Sequence, residues 1–449
     1  MRRFAMLRGG TATGWCWLAL AAVVLVPGCA LRDLHDQVQM MEQTCIVLGS
    51  VQAPDARGER VVAALQARPE STAEPPIPVD FTFADDSGNY SFALAPGDYL
   101  LLAFLDDNGN MTLDDSEPAA QVQGGDPIHC KPGGRQTAEN VELVASDRLS
   151  SDRNLSVVRD RSVVEAALET AVSIGQLTAF GEVVPLDDER FDLVIARDSL
   201  WRPMDFVRAG YSGVYLDEAL DPDRVPVLFI HGINGSPRVL SPLIERLDTS
   251  TFQPMYYYYA SGLAIGQVAS HLYRIMQELE VRSGIDHYHV VAHSMGGLVA
   301  RSWLLERARR GESASIGGLI TLSAPWGGYD SARQGVKYSP VIAPVWRDLA
   351  TGSDFLAGLF DSPTTSDIED AELPGHHLLF SYRLDGWMTG TSGDGVATLE
   401  SMLPVAVQRQ AESIFGVNAG HVDILESEAA QARFAKLLDA LEARHSPAD

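Results

Sequence analysis

The apolar run Tyr288-His289-Val290-Val291-Ala292 stops at His293-Ser294-Met295-Gly296-Gly297, and the chain then continues as a helix-like stretch over 296–309. A buried strand that turns straight into a helix brings two backbones close together. The residues flanking the turn must then be small, and Ala292 and Gly296 are. The same alternation extends in both directions. Short apolar strands are predicted at 225–230, 253–259, 288–292, 318–322, 378–382 and 414–417. Helices are predicted at 237–247, with Ser236 as N-cap, at 266–281 and at 296–309. Repeated β-α units imply a mostly parallel sheet with helices on both faces. No internal repeat interrupts this pattern.

The N-terminus has a different character. Arg2, Arg3 and Arg8 precede an apolar run at 15–26, too short to span a bilayer comfortably and suited to a secretion signal. The run ends in Leu25-Val26-Pro27-Gly28-Cys29, which resembles a bacterial lipobox. That resemblance implies cleavage after residue 28 and acylation of Cys29. Ala30 in place of Asp then implies the outer membrane of a Gram-negative envelope. An ordinary signal peptide with an incidental cysteine is the other reading. Of four cysteines, Cys16 leaves with the signal and Cys29 takes the lipid. Cys45 and Cys130 remain as an even pair in an oxidising compartment, and a disulfide between them is expected. The chain is 46% hydrophobic, enough for a sizeable core, and carries a net charge of −26. Such acidity argues against nucleic-acid partners. Oligomeric state is not legible in the residues.

Five regions follow: a signal at 1–28, a polar tether at 29–42, a β domain at 43–145, a connecting segment at 146–215 with a helix at 162–177, and an α/β domain at 216–449. Within the β domain, strands at 46–51 and 61–65, the alternation of Tyr90, Phe92 and Leu94, and an apolar strand at 99–105 suggest a small sandwich. The stretch Asp86-Ser87-Gly88-Asn89-Tyr90-Ser91-Phe92, followed by Pro96-Gly97-Asp98-Tyr99, resembles the carboxypeptidase-regulatory-like domain. After the apolar strand, Asp106, Asn108, Asn110, Thr112, Asp114 and Glu117 carry oxygens at the spacing of an EF-hand-like calcium loop. Met111 replaces the glycine such a loop needs, so a solvated acidic turn stays open beside a calcium site that would stiffen the sandwich.

The segment Ala292-His293-Ser294-Met295-Gly296 resembles the nucleophile elbow of α/β-hydrolases, in the Ala-x-Ser-x-Gly variant of bacterial triacylglycerol lipases and GPI inositol-deacylase-like serine esterases. The resemblance covers roughly 200–435. It implies an α/β-hydrolase fold behind the all-β sandwich, with Ser294 as nucleophile. An oxyanion needs two preorganised N–H donors. They would come from Met295 and from Ile233 in His231-Gly232-Ile233-Asn234-Gly235, with His231 in a supporting role. The base follows serine and acid in this fold, which selects His421 in Asn418-Ala419-Gly420-His421. His293 should point away from the nucleophile, and His376 and His377 should precede the strand at 378–382. Asp394, in the glycine-flanked loop Ser392-Gly393-Asp394-Gly395, is the expected acid, with Asp385 as the alternative. Trp326, in Ser323-Ala324-Pro325-Trp326-Gly327-Gly328, is placed to line an acyl pocket or simply to pack. The insertion at 329–375 reads as a lid with an apolar underside or as a structural excursion. Tyr256-Tyr257-Tyr258-Tyr259 reads as a strand with one aromatic face in the core.

These features imply a lipid-anchored serine esterase or lipase acting on lipid or acyl-ester substrates, with no cofactor needed for catalysis. An acyltransferase would use the same triad. A surface binding lipoprotein on an inert hydrolase scaffold is the reading from another class.

Overall fold

A computed structural model describes residues 28–54, 58–67, 77–84, 88–108, 112–144, 178–309, 316–360, 373–384 and 392–445. The signal segment before residue 28 and the helix expected at 162–177 lie outside them. The first described element corrects the sequence reading. Gly28–Glu42 is a helix, α1, where a polar tether was expected. Its pattern is sparse, but Leu34, Gln37 and Val38 share one face at helical spacing. Leu34 is fully buried in the core of the α/β domain, and Val38 packs beside it. The side-chain carbonyl of Gln37 accepts the N–H groups of Met204 and Asp205, at 2.8 and 3.0 Å. Those are donors at the start of the helix Pro203–Arg208, which that helix cannot satisfy itself.

The β domain follows as strands β1 Cys45–Gln52, β2 Glu59–Gln66, β3 Ile77–Phe83, β4 Asn89–Leu94, β5 Gly97–Asp106, β6 Ala119–Gln121, β7 Ile128–Cys130, β8 Arg135–Thr137 and β9 Val141–Glu142. They form two sheets. One has the order β4-β1-β8 with β9 also on β1; the other has β3-β2-β5-β6 with β7 also on β5. Val47, Tyr90 and Phe92 of the first meet Val62, Tyr99, Leu101 and Ala103 of the second in one core, which makes a sandwich. The unbroken apolar character of β5 has a physical cause. Leu101, Ala103 and Leu105 face that core, while Leu102 and Phe104 join a second buried cluster on the other face. A disulfide joins Cys45 to Cys130, with Cα atoms 5.5 Å apart across a sequence separation of 85. It ties the first residue of β1 to the last of β7.

The α/β domain carries β10 Ala179–Val183, α2 Leu193–Trp201, α3 Pro203–Arg208, β11 Gly213–Leu216, β12 Val225–Ile230, β13 Phe252–Tyr258, α4 Ile265–Ser283, β14 Tyr288–His293, α5 Met295–Arg309 and β15 Ile316–Leu322. Beyond β15 come α6 Asp330–Tyr338, α7 Pro344–Leu349, α8 Asp354–Gly358, β16 His376–Tyr382, β17 Ala411–Asn418 and α9 Glu428–His445. The sheet order is β10-β11-β13-β12-β14-β15-β16-β17. All neighbours are parallel except β11 and β13. Buried clusters cover both faces. This is the α/β-hydrolase fold, preceded by a small all-β sandwich.

Three local expectations need correction. The helix expected at 237–247 is a 3-10 turn, Pro237–Leu240, followed by a single helical turn, Ser241–Ile244. Pro242 has no N–H to donate back to the preceding turn, so a continuous α-helical ladder is interrupted there. Ser236 does not cap it; its hydroxyl donates to the Phe191 carbonyl at 2.7 Å. His376 and His377 are the first residues of β16, not a lead-in. All four tyrosines at 256–259 are buried, because β13 is interior to the sheet: Tyr257 and Tyr259 pack on one face, Tyr256 and Tyr258 on the other.

Candidate active site

Ser294 follows β14 directly and has φ of +55°. A non-glycine residue in that left-handed region is strained, and the strain lifts its hydroxyl off the end of the strand. The requirement for small flanks is visible in the contacts. A Cβ on Gly296 would lie 2.4 and 2.5 Å from the carbonyl oxygens of Ile230 and His231. Only glycine lets α5 start this close to the end of β12.

The imidazole of His421 bridges Ser294 and Asp394. Ser294 Oγ lies 2.8 Å from His421 Nε2, and His421 Nδ1 lies 2.6 Å from Asp394 Oδ2. All three residues are buried, at 3%, 7% and 2% exposure, so the hydrogen bonds act in a medium of low polarity. Asp394 accepts three more: the Ser381 hydroxyl at 2.6 Å and the N–H groups of Val396 and Ala397 at 2.9 and 2.7 Å. Burial by itself pushes this carboxyl up. The hydrogen bond and charge of His421, with the Ser381 hydroxyl and the Val396 amide, outweigh it and hold Asp394 below the ordinary carboxylate range. Its glycine neighbours have a reason too: a Cβ on Gly393 would stand 2.2 Å from the Ala397 carbonyl. Asp385, the alternative acid, lies outside the described residues.

The loop that begins at His231 runs against Ser294. A Cβ on Gly232 would sit 2.8 Å from Ser294 Cβ and 3.3 Å from its Oγ. Ile233 is the next residue along that loop. Met295 opens α5, so its N–H belongs to the first turn, where helical amides have no partner within the helix. His231 supports the loop. Its Nδ1–H donates to the Gly232 carbonyl at 2.7 Å, its ring stacks on Tyr259 at 4.3 Å, and burial holds it down at about 4. The Tyr259 hydroxyl donates to the His231 carbonyl at 2.6 Å, and Ser261 Oγ accepts the Asn234 N–H at 3.0 Å.

Several residues of the site were not foreseen. His293 braces His421 from underneath. Its Nε2–H donates to the backbone carbonyl of His421 at 2.9 Å, and burial keeps it neutral, with a pKa of about 3. The loop that carries His421 is thereby fixed to the end of β14. The Ser323 and Ser381 hydroxyls lie 2.6 Å apart, so Ser323 backs the donor that Ser381 gives to Asp394. The Tyr329 phenol, partly buried and raised by desolvation, reaches Ser294 from the first residue of the 329–375 insertion. A polar residue in an otherwise apolar strand was the available signal for Ser381.

The other expected sites fall as follows. Trp326 is buried and packs edge-on against Phe360 and His376, at 5.8 and 5.5 Å, which is a packing position. The described part of the insertion packs into the same core through Val345, Leu349, Leu356 and Leu359, and Asp348 accepts the Ile265 N–H at 2.6 Å. In the acidic loop, Asn110 lies outside the described residues. Glu117 accepts the N–H groups of Asp107 and Asp114, and Asn108 donates to Asp114 at 2.7 Å. Hydrogen bonds of its own close that loop, and its carboxylates do not gather in threes among the described residues. Cys29 is the second residue of α1. No helix among the described residues is long and apolar enough to cross a membrane.

No family model and no curated protein matches the chain. Solved structures similar to it include the mature form of the lipase BlEst2 of Bacillus licheniformis, 18% identical, covering 50% of this chain and 94% of that one with a TM-score of 0.39. Another is a thermophilic esterase of Thermogutta terrifontis, 16% identical, covering 48% and 90% with a TM-score of 0.33. A carboxylesterase structure from Nitrososphaera gargenis is 12% identical, covering 51% and 96% with a TM-score of 0.35. The α/β-hydrolase fold of this chain follows from its strand order and the turn at Ser294, independently of these likenesses.

Proposed function

We propose that the chain hydrolyses carboxylic esters through an acyl-enzyme on Ser294. The observation that carries this reading is the buried series Ser294 to His421 to Asp394, with hydrogen bonds of 2.8 and 2.6 Å. Ser294 Oγ attacks the ester carbonyl while His421 Nε2 takes its proton. The oxyanion that forms faces the N–H groups of Ile233 and Met295. Asp394 holds His421 in the tautomer with Nδ1 protonated and stabilises the imidazolium. The imidazolium returns its proton to the alcohol as the C–O bond breaks. Water, deprotonated by the same nitrogen, then attacks the acyl-enzyme and releases the acid and free Ser294. The chemistry requires no cofactor.

The substrate class we infer is an apolar acyl ester or lipid. Val396 and Val422 stand beside Asp394 and His421 with 58% and 50% of their surface exposed, so apolar side chains flank the triad. We further infer a lipid anchor at Cys29 and an outer-membrane location, on the sequence before that cysteine. Acyl transfer to an alcohol needs the same residues and is the second reading. A complete triad favours either over an inert scaffold.

The test uses the mature protein. A fluorophosphonate probe should label Ser294, and Ser294→Ala should lose about 10⁴-fold or more in ester turnover. Absence of label together with unchanged turnover in the variant overturns the reading. Added alcohol acceptors separate transfer from hydrolysis by product analysis. Mass spectrometry of the mature N-terminus tests Cys29, and an unmodified cysteine removes the anchor.

A further inference from the structure

At the other end of β14 a second constellation lies outside the catalytic machinery. His287 and His289 sit two residues apart around the start of the strand, so both side chains leave the same face. Glu442 reaches them from the last turns of α9. The Nε2 atoms of both imidazoles lie 3.1 Å from one oxygen, Glu442 Oε2. One ligand atom from each of the three residues falls within 4.8 Å of the others. His445, three residues after Glu442, lays its ring flat over His287 at 3.5 Å.

The neighbouring strand makes room for this cluster. Pairing of β14 with β15 shifts register between Tyr288 and His289, which leaves Gly317 as an extra residue opposite them. A Cβ on Gly317 would stand 2.4 Å from His287 Cε1 and 2.6 Å from His289 Cε1. Bulge and glycine together form a recess that the two rings fill. The Nδ1 atoms of His287 and His289 are buried without a hydrogen-bond partner among the described residues.

We propose that His287, His289 and Glu442 form a binding site for a divalent transition metal, zinc first, which fastens α9 to the strand that carries the nucleophile. Two imidazole nitrogens and a carboxylate oxygen are a zinc donor set. With metal–ligand distances of about 2.0–2.2 Å, ligand atoms in a tetrahedral site lie roughly 3.3 Å apart. The two 3.1 Å contacts already approach that spacing. An ion bound here would sit between the three donor atoms, all of which lie within 4.8 Å of one another. His287 and Glu442 keep partial contact with solvent, at 9% and 18% side-chain exposure, which gives an ion an entry path and leaves a position for water or His445. Ser294 lies five residues along the strand from His289, about 17 Å away, so the ion takes no part in the ester chemistry.

The experiment uses tag-free, full mature protein, stripped with a chelator and titrated with zinc chloride by calorimetry, alongside Glu442→Gln and His289→Ala. Expected are one zinc per chain and a Tm raised by about 2 °C or more, both lost in each variant. Cobalt in place of zinc should give visible d–d absorption from a low-coordinate nitrogen–oxygen site, absent in Glu442→Gln. That variant preserves shape and hydrogen bonding, so it serves if His289→Ala does not fold. Zinc and cobalt uptake equal in wild type and Glu442→Gln, or no uptake by either, overturns the proposal and leaves the cluster as a hydrogen-bonded latch.

Discussion

Strand β14 ends in a histidine–carboxylate cluster at both extremities, and the two are wired differently. At the C-terminal end the groups stand in series: a hydroxyl, an imidazole and a carboxylate, with one partner on each nitrogen of His421. At the N-terminal end they converge: two imidazoles share one oxygen of Glu442. A series arrangement has a direction: His421 Nε2 faces the hydroxyl with which it can exchange a proton, while Nδ1–H stays hydrogen-bonded to Asp394. A convergent arrangement has no direction and suits a single positive centre. Residue type alone therefore does not distinguish the two proposed sites; the connectivity does.

The largest expected effect breaks the series. Asp394→Asn keeps the shape and presents an amide to His421, which stabilises the wrong tautomer. We expect kcat to fall by about 10³–10⁴ with KM little changed. A loss below tenfold in steady-state ester kinetics would mean that Asp394 is not the acid. Next is Gly296→Ala. Its added methyl meets two backbone carbonyls at 2.4 and 2.5 Å, which cannot swing aside. The elbow should distort, with a loss of about 2–3 kcal/mol in denaturant unfolding and most of the activity.

Acid stability sharpens the comparison at the Ser294 end. Burial holds His231 at about 4 and His293 at about 3, against about 6.5 in an unfolded chain. Between those values the unfolded state binds protons that the folded state refuses. Their contribution is complete above about pH 6.5 and declines as pH falls, on the order of 1.4 kcal/mol per pH unit for each histidine. Urea midpoints at pH 7, 6 and 5 should fall in step, and His293→Gln should flatten the slope. The smallest effect is at the convergent end. Gly317→Ala presses on imidazole rings, which can yield, so a loss of about 1 kcal/mol is expected in the same unfolding assay.

The series was legible in the sequence because each member is announced locally. Ser294 has small flanks between a strand and a helix, Asp394 has glycines on both sides, and His421 follows the last apolar strand. Chain order then linked them. The convergent cluster had no such marks: 153 and 155 residues separate Glu442 from its two histidines, and only the packing of α9 brings them together. The bracing role of His293 was not legible for a related reason. Its side chain does turn away from Ser294, but what lies underneath is the backbone of His421, and sequence does not show backbone neighbours. Helix α1 was missed because its burial depends on three residues, Leu34, Gln37 and Val38, too few to stand out from a polar background.

That helix changes what an attachment at Cys29 would mean mechanically. As an extended leash, residues 30–42 would reach roughly 45 Å and let the body behind them swing freely. As a docked helix they place Cys29 only five residues before Leu34, about 8 Å along the axis from a side chain sealed in the hydrolase core. An anchored chain would then be mounted on a bracket, with its standoff height and its heading toward the bilayer set by a few contacts on α3.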